Sequence, residues 1–301
     1  MTSNKICVIG LGSMGMGMAQ AMLRKGLNVS GSDLNPEAMK RFESMGGGGA
    51  APAARAARDA TILVSVVVNA AQTEAVLFGE EGAASAMARG GVIISSATMS
   101  PDDARRLAGR AEALGLHYLD APISGGAARA AAGELTVMAS GTPQAFATAR
   151  PALEAIAATV YELGDSAGTG AAFKMVNQLL AGVHIAAACE AMTFAAKLGL
   201  DLATVYKVIT ASAGNSWMFE NRVPHILDGD YSPRSAVEIF TKDLGIVSDM
   251  GRKEKFPLSI AATALQMFLM TAASGMAKDD DASVARMIAM MTGVQLPEAK
   301  A

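Results

Sequence analysis

The sequence predicts an α/β protein in which an N-terminal Rossmann domain, a doubly wound parallel sheet, is followed by an all-α C-terminal domain joined to it by a long helix. Three observations predict this fold class. A glycine-rich turn follows the first apolar run, apolar runs alternate with helical segments as far as Leu163, and the periodicity is almost entirely helical from Ala171 onward. We therefore expect a dinucleotide-binding domain over residues 1–164 and a helical domain over residues 165–301.

The glycine-rich turn comes directly after the first predicted strand, which starts at Lys5. Gly10 permits the tight turn from strand to helix, Gly12 lets the backbone approach a pyrophosphate, and Gly15 lets the helix pack close to the strand. N–H groups at the start of the next helix, predicted over Met14–Lys25, face the phosphates, where the helix dipole favours negative charge. The cofactor-binding residues expected from this turn are Gly10, Leu11, Gly12, Ser13, Met14 and Gly15.

An acidic residue ends the second predicted strand, Leu27–Ser32. The carboxylate of Asp33 lies where it can accept hydrogen bonds from both ribose hydroxyls of an adenosine. It would also repel a 2′-phosphate, and no arginine follows in the next three residues to offset that. We therefore predict NAD rather than NADP as the cofactor, with Asp33 and Leu34 among the residues that bind it.

The remaining elements of the N-terminal half follow in alternation. A loose turn is predicted at Gly46–Gly49. The predicted helices are Pro36–Met45, Ala51–Asp59, Pro101–Leu114 and Gln144–Ile156. The predicted strands, all assigned to one sheet, are Thr61–Val68, Val92–Ser96, Leu116–Leu119, Leu135–Ser140 and Thr159–Leu163.

A glycine-punctuated hinge at Gly164–Gly170 separates the two halves. The helix predicted next, Ala171–Leu198, would be about 40 Å long at 1.5 Å per residue. The further predicted helices are Leu202–Ala211, Met218–Leu227, Val237–Glu254, Ser259–Met276 and Ser283–Met291.

The composition excludes several classes of protein. The chain is 51% apolar and 18% charged with a net charge of −3, and it has no basic cluster, so we expect no nucleic-acid partner. Cys7 and Cys189 match no metal or redox spacing, so we expect no metal site. The segment before Lys5 leaves no room for a signal peptide, and Leu179–Ala196 is short for a membrane span, so we expect a cytoplasmic protein with no membrane partner. The apolar bias favours a subunit interface in the helical half, in a homodimer or homotetramer.

Polar residues follow several predicted strands, at the edge where a Rossmann sheet binds its ligand. Asn69 and Thr98 are candidates for the cofactor's ribose and nicotinamide, although each is equally typical of a simple turn. The segment Asp120–Gly126 leaves another strand and opens a helix. The N–H groups of Ser124, Gly125 and Gly126, with the Ser124 hydroxyl, could hold a carboxylate, and a purely structural turn is the alternative.

The start of the long helix carries a lysine with two amide side chains on the same face. Lys174, Asn177 and Gln178 are spaced i, i+3 and i+4 among apolar residues. A lysine in such surroundings is costly to bury unless it has a partner or a function, and a desolvated amine can serve as a general acid or base. The alternative is a lysine that extends to the surface.

With these motifs in order, the chain resembles the β-hydroxyacid dehydrogenase family, which includes 3-hydroxyisobutyrate dehydrogenase and tartronate semialdehyde reductase. The resemblance extends over the glycine turn, the Asp120–Gly126 segment, the residues from Gly168 to Gln178, and Phe240–Leu244. It implies NAD-dependent oxidation of a small hydroxy acid. Ala97 stands where the family often has serine, which leaves Thr98 as the hydroxyl.

The resemblance also implies a role for each site residue. Lys174 would be the catalytic acid and base, Asn177 would position the substrate, and Ser124, Gly125 and Gly126 would hold its carboxylate. Thr98 and Lys242 would contact the nicotinamide end of the cofactor. The helical domain would bind substrate and carry the subunit interface.

Side chains in the helical half bear on the choice of substrate. His184, Asn215 and Trp217 could supply the polarity that a four-carbon polyhydroxy acid requires, whereas an acid with a methyl group would favour an apolar wall. A helix cap at Asn215–Ser216 and a core histidine at His184 are the alternatives, and these roles stay open. So do 3-hydroxyisobutyrate and D-glycerate as substrates, and a non-catalytic nucleotide sensor as another class of protein.

Overall fold

The computed structural model of the protein describes residues 5–299. The chain divides into two compact units, Met1–Lys174 and Met175–Ala301. The first unit therefore includes the beginning of the long helix, and the second unit includes the rest of it.

A six-stranded parallel sheet forms the centre of the N-terminal unit. Its strands are β1 (Lys5–Ile9), β2 (Asn28–Ser32), β3 (Gly48–Gly49), β4 (Ile62–Ser65), β5 (Val92–Ser95) and β6 (His117–Asp120). Their order across the sheet, β3-β2-β1-β4-β5-β6, is that of a doubly wound Rossmann fold, which confirms the predicted fold class. Strands β4 and β5 are buried along their whole length, as their continuous apolar sequences predict.

Helices cover both faces of this sheet. In chain order they are α1 (Ser13–Arg24), α2 (Pro36–Ser44), α3 (Ala53–Ala56), α4 (Ala70–Phe78), α5 (Pro101–Ala113), α6 (Gly126–Ala132) and α7 (Pro143–Ile156). Ile6 and Val8 of β1 belong to one buried apolar cluster, while Cys7 and Ile9 belong to another. This alternation places one core on each side of the sheet.

Caps explain where several of these helices begin. Asn35, Ser100 and Thr142 each accept a hydrogen bond from a backbone N–H in the first turn, and each is followed by proline. No helix is predicted over Ala70–Phe78, but Asn69 caps one there, α4.

The prediction of a single sheet is wrong, because three later strands form a second one. These are β7 (Ile123–Ser124), β8 (Leu135–Ala139) and β9 (Ala157–Glu162), in the order β7-β8-β9. Strand β8 alternates between buried and half-buried residues, and β9 has no fully buried residue. This partial exposure is consistent with strands that lie outside a sheet covered on both faces.

The predicted loose turn at Gly46–Gly49 is also partly wrong, because Gly48 and Gly49 pair with β2 as an edge strand. The glycines here allow close packing around the buried ring of Phe42. A Cβ on Gly47 would lie 2.2 Å from that ring, and a Cβ on Gly31 would lie 2.7 Å from it.

The C-terminal unit is helical. The long helix is α8 (Thr169–Lys197), and it is followed by α9 (Leu202–Thr210), α10 (Trp217–Asp228), α11 (Val237–Lys253), α12 (Ser259–Thr271) and α13 (Val284–Thr292). The α-helix predicted over Ser259–Met276 ends at Thr271, and a π-helical turn follows it over Ala272–Met276. Gly275 in that turn has a φ of 88°, which is not helical. Phe240 and Phe268 stack at 5.1 Å within the core of this unit.

Two helices are long and apolar enough, by length and composition alone, to cross a membrane: Thr169–Lys197 and Ser259–Met276. The first helix includes the apolar stretch 179–196, which the sequence analysis judges short for a membrane span, and extends beyond it at both ends. Ile185, Cys189 and Met192 of α8 are fully buried in the core of the C-terminal unit. A helix of this kind in a packed core meets the same length and composition criteria.

Candidate active site

The candidate residues of the N-terminal unit lie beyond the carboxyl ends of its strands. Gly10 follows β1, Asp33 follows β2, and Asn69, Thr98 and Ser124 come after β4, β5 and β6. Because parallel strands all end at one edge of the sheet, these residues share that edge.

The three glycines of the first turn are required for different reasons. Gly10 has a φ of +90°, and a Cβ on it would lie 2.5 Å from the Val66 carbonyl oxygen. A Cβ on Gly15 would lie 1.8 Å from the Gly10 carbonyl oxygen, so the fold itself requires both glycines. Gly12 has an ordinary φ of −64° and no atom within 4 Å of a Cβ, so the fold does not require glycine there. The space at Gly12 fits the close approach of a pyrophosphate.

The start of α1 is open to a ligand. Its N-cap residue, Gly12, has no side chain to bond to the first N–H groups of the helix. Gly12 and Ser13 are exposed. Uncapped N–H groups at a helix start attract phosphate oxygens.

The Asp33 carboxylate connects the end of β2 to the glycine turn. Its Oδ2 accepts a hydrogen bond of 2.5 Å from the Leu11 N–H, and its Oδ1 accepts one of 2.7 Å from the Asn35 N–H. A carboxylate has about four acceptor positions, so two remain for ribose hydroxyls. The side chain of Leu34 next to it is fully exposed.

Asn69 has a structural partner of its own. Its Oδ1 accepts a hydrogen bond of 2.8 Å from the Gln72 N–H at the start of α4, and Gln72 Oε1 accepts one of 2.9 Å from the Val68 N–H. Asn69 therefore does have the structural role at a turn that the sequence offers as the alternative to cofactor binding. Thr98 lies half-buried just beyond β5.

The Ser124–Gly126 turn has two successive residues with positive φ. Gly125 and Gly126 have φ values of +137° and +78°, which favour glycine. A Cβ on Gly126 would meet no atom within 4 Å, so only the backbone angle requires glycine at that position. No side chain caps the start of α6 at Gly125.

Lys174 is the buried amine predicted from the sequence. Only 7% of the residue is exposed, and its Nζ donates a hydrogen bond of 2.8 Å to the carbonyl oxygen of Ile123, the residue before Ser124. The alternative of a lysine that extends to the surface is therefore wrong. The structure places the amine directly beside the predicted carboxylate-binding turn.

Four polar residues of the C-terminal unit form a chain of contacts. Asn177 Nδ2 donates to Gln178 Oε1 at 2.9 Å, and Gln178 Nε2 donates to Asp243 Oδ2 at 2.5 Å. Lys242 Nζ lies 2.7 Å from Asp243 Oδ1. This chain connects the predicted residues Asn177 and Lys242 through Gln178 and Asp243, which the sequence analysis does not select as site residues. Asp243 could have been selected from the sequence, because it is an acidic residue directly after Lys242.

Asp120 is a further residue that the sequence analysis does not select. It is 1% exposed, and its Oδ2 accepts hydrogen bonds of 2.9 Å and 2.8 Å from the Gly168 and Ala171 N–H groups. Burial raises the pKa of this carboxyl, and the hydrogen bonds from Ala171 and Gly168 oppose that effect.

The candidates for substrate choice differ in burial and in their hydrogen-bond partners. His184 is half-buried, and 51% of Trp217 is exposed. Asn215 Nδ2 donates to Glu220 Oε1 at 2.5 Å, while the Ser216 hydroxyl accepts from the Phe219 N–H and caps α10. Within residues 5–299, no group of three His, Cys, Asp or Glu side chains is arranged to hold a metal ion.

Two family models match the chain. Residues 5–164 match the NAD binding domain of 6-phosphogluconate dehydrogenase. Residues 168–288 match a family described as the NAD-binding domain of NADP-dependent 3-hydroxyisobutyrate dehydrogenase.

Full-length relatives agree with these matches. The chain is 53% identical to an L-threonate dehydrogenase of Cupriavidus necator, with 98% of each chain covered. It is 48% identical to an L-threonate dehydrogenase of Escherichia coli, over 97% of this chain and 96% of the relative. A crystal structure described as 3-hydroxyisobutyrate dehydrogenase from Salmonella typhimurium is 50% identical, covers 94% of this chain and 99% of its own, and superposes with a TM-score of 0.91. The chain therefore belongs to the β-hydroxyacid dehydrogenase family, the oxidoreductases related to 3-hydroxyisobutyrate dehydrogenase that use a nicotinamide dinucleotide to act on CH–OH groups.

Proposed function

We propose that the protein is an NAD-dependent dehydrogenase that oxidises L-threonate at its carbon-2 hydroxyl to the 2-keto acid, 2-dehydro-L-erythronate. The observation that carries the proposal is the position of Lys174. Its buried Nζ lies 2.8 Å from the Ile123 carbonyl oxygen, next to a turn whose N–H groups suit a carboxylate. A base beside a carboxylate site is the arrangement that oxidation of a 2-hydroxy acid requires.

The N-terminal domain, which we assign to residues 1–164, would hold the cofactor. The residues assigned to it are Gly10, Leu11, Gly12, Ser13, Met14, Gly15, Asp33, Leu34, Asn69 and Thr98, together with Lys242 of the helical domain. The open space at Gly12 and the uncapped start of α1 support pyrophosphate binding there. A nicotinamide bound there would supply the acceptor for the hydride of carbon 2.

The protein's own residues would bind the substrate and move its proton. The Ser124 hydroxyl and the N–H groups of Gly125 and Gly126 hold the carboxylate, and Asn177 positions the substrate. Neutral Lys174 accepts the proton of the carbon-2 hydroxyl as the hydride leaves. In the reverse reaction, the protonated amine donates to the carbonyl oxygen and stabilises the charge that develops on it.

The choice of substrate rests on the relatives and on polarity. Relatives at 53% and 48% identity are described as L-threonate dehydrogenases, although the crystal structure at 50% identity is described as 3-hydroxyisobutyrate dehydrogenase. L-Threonate carries two more hydroxyls beyond carbon 2, and these require hydrogen-bonding partners. His184 and Asn215 could supply them, so we place 3-hydroxyisobutyrate and D-glycerate second.

A panel of acids tests this proposal. We expect purified protein to form NADH with L-threonate at the highest kcat/KM, with less activity on D-threonate, 3-hydroxyisobutyrate and D-glycerate. NAD should be preferred to NADP because Asp33 repels a 2′-phosphate. A preference for 3-hydroxyisobutyrate would replace the substrate assignment. Binding of NAD without turnover of any hydroxy acid would support a nucleotide sensor instead.

The helical domain, which we assign to residues 165–301, would also carry a subunit interface. An apolar stripe is made of Val176, Leu180 and Phe194 on α8 and of Leu198 directly after it, each between 48% and 62% exposed. The spacing of these residues places them along one side of the helix, which suits packing against a second copy of the chain. We propose a homodimer or homotetramer, located in the cytoplasm because both cysteines are free.

A further inference from the structure

The start of α8 is held by side chains distant in the sequence. Asp120 Oδ2 accepts from the Gly168 and Ala171 N–H groups, and Ser140 Oγ accepts a hydrogen bond of 2.9 Å from the Gly170 N–H. The Ser140 hydroxyl also lies 3.4 Å from the same Asp120 oxygen. The first N–H groups of a helix have no partner within the helix. In most helices a residue next to the helix start supplies that partner. Here Asp120, at the end of β6, and Ser140, just after β8, supply it instead.

The glycines at the start of α8 allow this close contact. Gly168 has a φ of +103°, which a residue with a side chain rarely adopts. A Cβ on Gly170 would lie 2.4 Å from the Met138 carbonyl oxygen and 2.8 Å from that of Asp120. The first turn of α8 therefore lies directly against the backbone of β6 and β8.

The Asp120 carboxylate also connects the two segments that carry the hydrogen bond between Lys174 and Ile123. Lys174 lies three residues after Ala171 on α8, and Ile123 lies three residues after Asp120. The 2.8 Å hydrogen bond between Lys174 Nζ and the Ile123 carbonyl oxygen thus joins two segments that Asp120 already holds together. If these bonds are lost, the helix start can move relative to the Ser124–Gly126 turn.

We propose that Asp120 is a positioning residue for proton transfer: its carboxylate fixes the first turn of α8 so that the Lys174 amine stays beside the substrate carboxylate. This inference rests on the proposed function. A misplacement of about 1 Å in a catalytic group costs about 10²-fold in rate.

Two substitutions separate the hydrogen bonds from the charge. Asp120→Ala leaves two buried N–H groups without an acceptor, and we expect kcat for L-threonate to fall about 10²-fold while the Kd for NAD stays unchanged. Asp120→Asn removes the charge but retains one oxygen, and one oxygen accepts both bonds in the native protein. We expect this variant to retain most of its kcat. Unchanged kcat in Asp120→Ala, or an equal loss in both variants, would overturn the proposal.

The matched control removes another capping carboxylate. Asp201 Oδ2 accepts from the Thr204 N–H at 2.8 Å and caps α9 in the C-terminal unit. Asp201→Ala should lower Tm without changing kcat. This result would show that the loss of a helix cap alone does not slow turnover. If Asp120→Ala does not fold, Ser140→Ala removes the acceptor for the Gly170 N–H and the 3.4 Å contact with Asp120 but leaves both bonds that Asp120 accepts, and its kcat should fall by a smaller factor.

Hydrogen–deuterium exchange supplies a readout that needs no substrate. We expect faster exchange in the peptide covering residues 168–175 in Asp120→Ala, and native exchange there in Asp120→Asn and Asp201→Ala. If the wild-type protein oxidises no hydroxy acid, the proposed function fails, while this exchange still reports whether Asp120 holds the helix. Native exchange over 168–175 in Asp120→Ala would contradict the inference about Asp120.

Discussion

The Lys174 side-chain amine donates a hydrogen bond of 2.8 Å to the main-chain carbonyl of Ile123. This contact places the amine next to Ser124, the first residue of the turn that we assign to the substrate carboxylate. Because Lys174 is 7% exposed, bulk water does not surround the amine. A general base next to the carboxylate of its substrate can reach the hydroxyl on the adjacent carbon.

Replacement of Lys174 tests this role most directly. Lys174→Ala should lower kcat by roughly 10²–10⁴-fold, the usual contribution of a positioned acid or base, while NAD still binds. Lys197→Ala is the matched control, since it removes an exposed lysine at the other end of the same helix. Steady-state kinetics and titration with NAD would measure both effects. Near-normal turnover in Lys174→Ala would remove the lysine from the mechanism.

The glycine turn predicts a separation between folding and binding. Gly12→Ala should fold normally, because a Cβ there meets no atom within 4 Å, but it should bind NAD much more weakly because the methyl group occupies the space of the pyrophosphate. Gly109→Ala is the control, since it adds a methyl group in equally open space on α5. Circular dichroism and NAD titration would measure the two properties. Unimpaired NAD binding by Gly12→Ala would show that the pyrophosphate lies elsewhere.

The sequence predicts the Rossmann half well because its signals are local. The glycine spacing, the acid after β2 and the nearly continuous apolar runs of β4 and β5 each lie within a few consecutive residues. The same is true of Lys174, whose apolar neighbours along α8 indicate its burial. Phe173 and Val176 are nevertheless exposed, so those neighbours do not all form core.

Features that depend on contacts between residues far apart in the sequence could not be predicted from the sequence. Whether β8 joins β6 or pairs with β7 is decided by the path of the chain after Pro122, and no local pattern specifies it. The bond between Asp120 and the Ala171 N–H spans 51 residues, and that between Gln178 and Asp243 spans 65. Both acids stand in segments that the sequence analysis selects, but their partners become visible only in three dimensions.

A buried pair in the C-terminal unit predicts a dependence of stability on pH. His225 Nδ1 and Asp280 Oδ1 lie 2.8 Å apart, and both side chains are almost fully buried. Burial alone would raise the pKa of Asp280, but its hydrogen bonds with His225 and the Arg234 N–H lower that pKa below the ordinary value of 3.8. The carboxylate therefore stabilises the fold above pH 3.8, and this contribution is lost as the pH falls through the lowered pKa.

Asp280→Asn should remove this contribution. We expect its free energy of unfolding at pH 7 to fall by roughly 1.5–3 kcal/mol, the usual contribution of a hydrogen bond to a charged group, and its decline below pH 4 to become shallower. Asp249→Asn breaks the exposed pair with Arg252 and should change stability little. Urea unfolding between pH 7 and pH 3 measures both variants. Parallel stability curves for Asp280→Asn and the wild type would show that this carboxylate does not contribute.

The exposed stripe on α8 predicts how copies of the chain associate. Phe194 is 62% exposed and Leu180 is 48% exposed, and because each is already partly buried, covering the rest would stabilise an interface by about 1–1.5 kcal/mol each. If the proposed oligomer forms through this stripe, Phe194→Glu combined with Leu180→Glu should convert it to a monomer, because charged side chains are costly to bury without a partner. Light scattering coupled to size-exclusion chromatography measures the mass directly. Leu114→Glu, at a comparably exposed leucine after α5, should leave the oligomer intact. A wild-type oligomer whose mass is unchanged in the double variant would show that the stripe is not the interface, and a monomeric wild type would contradict the proposed oligomer.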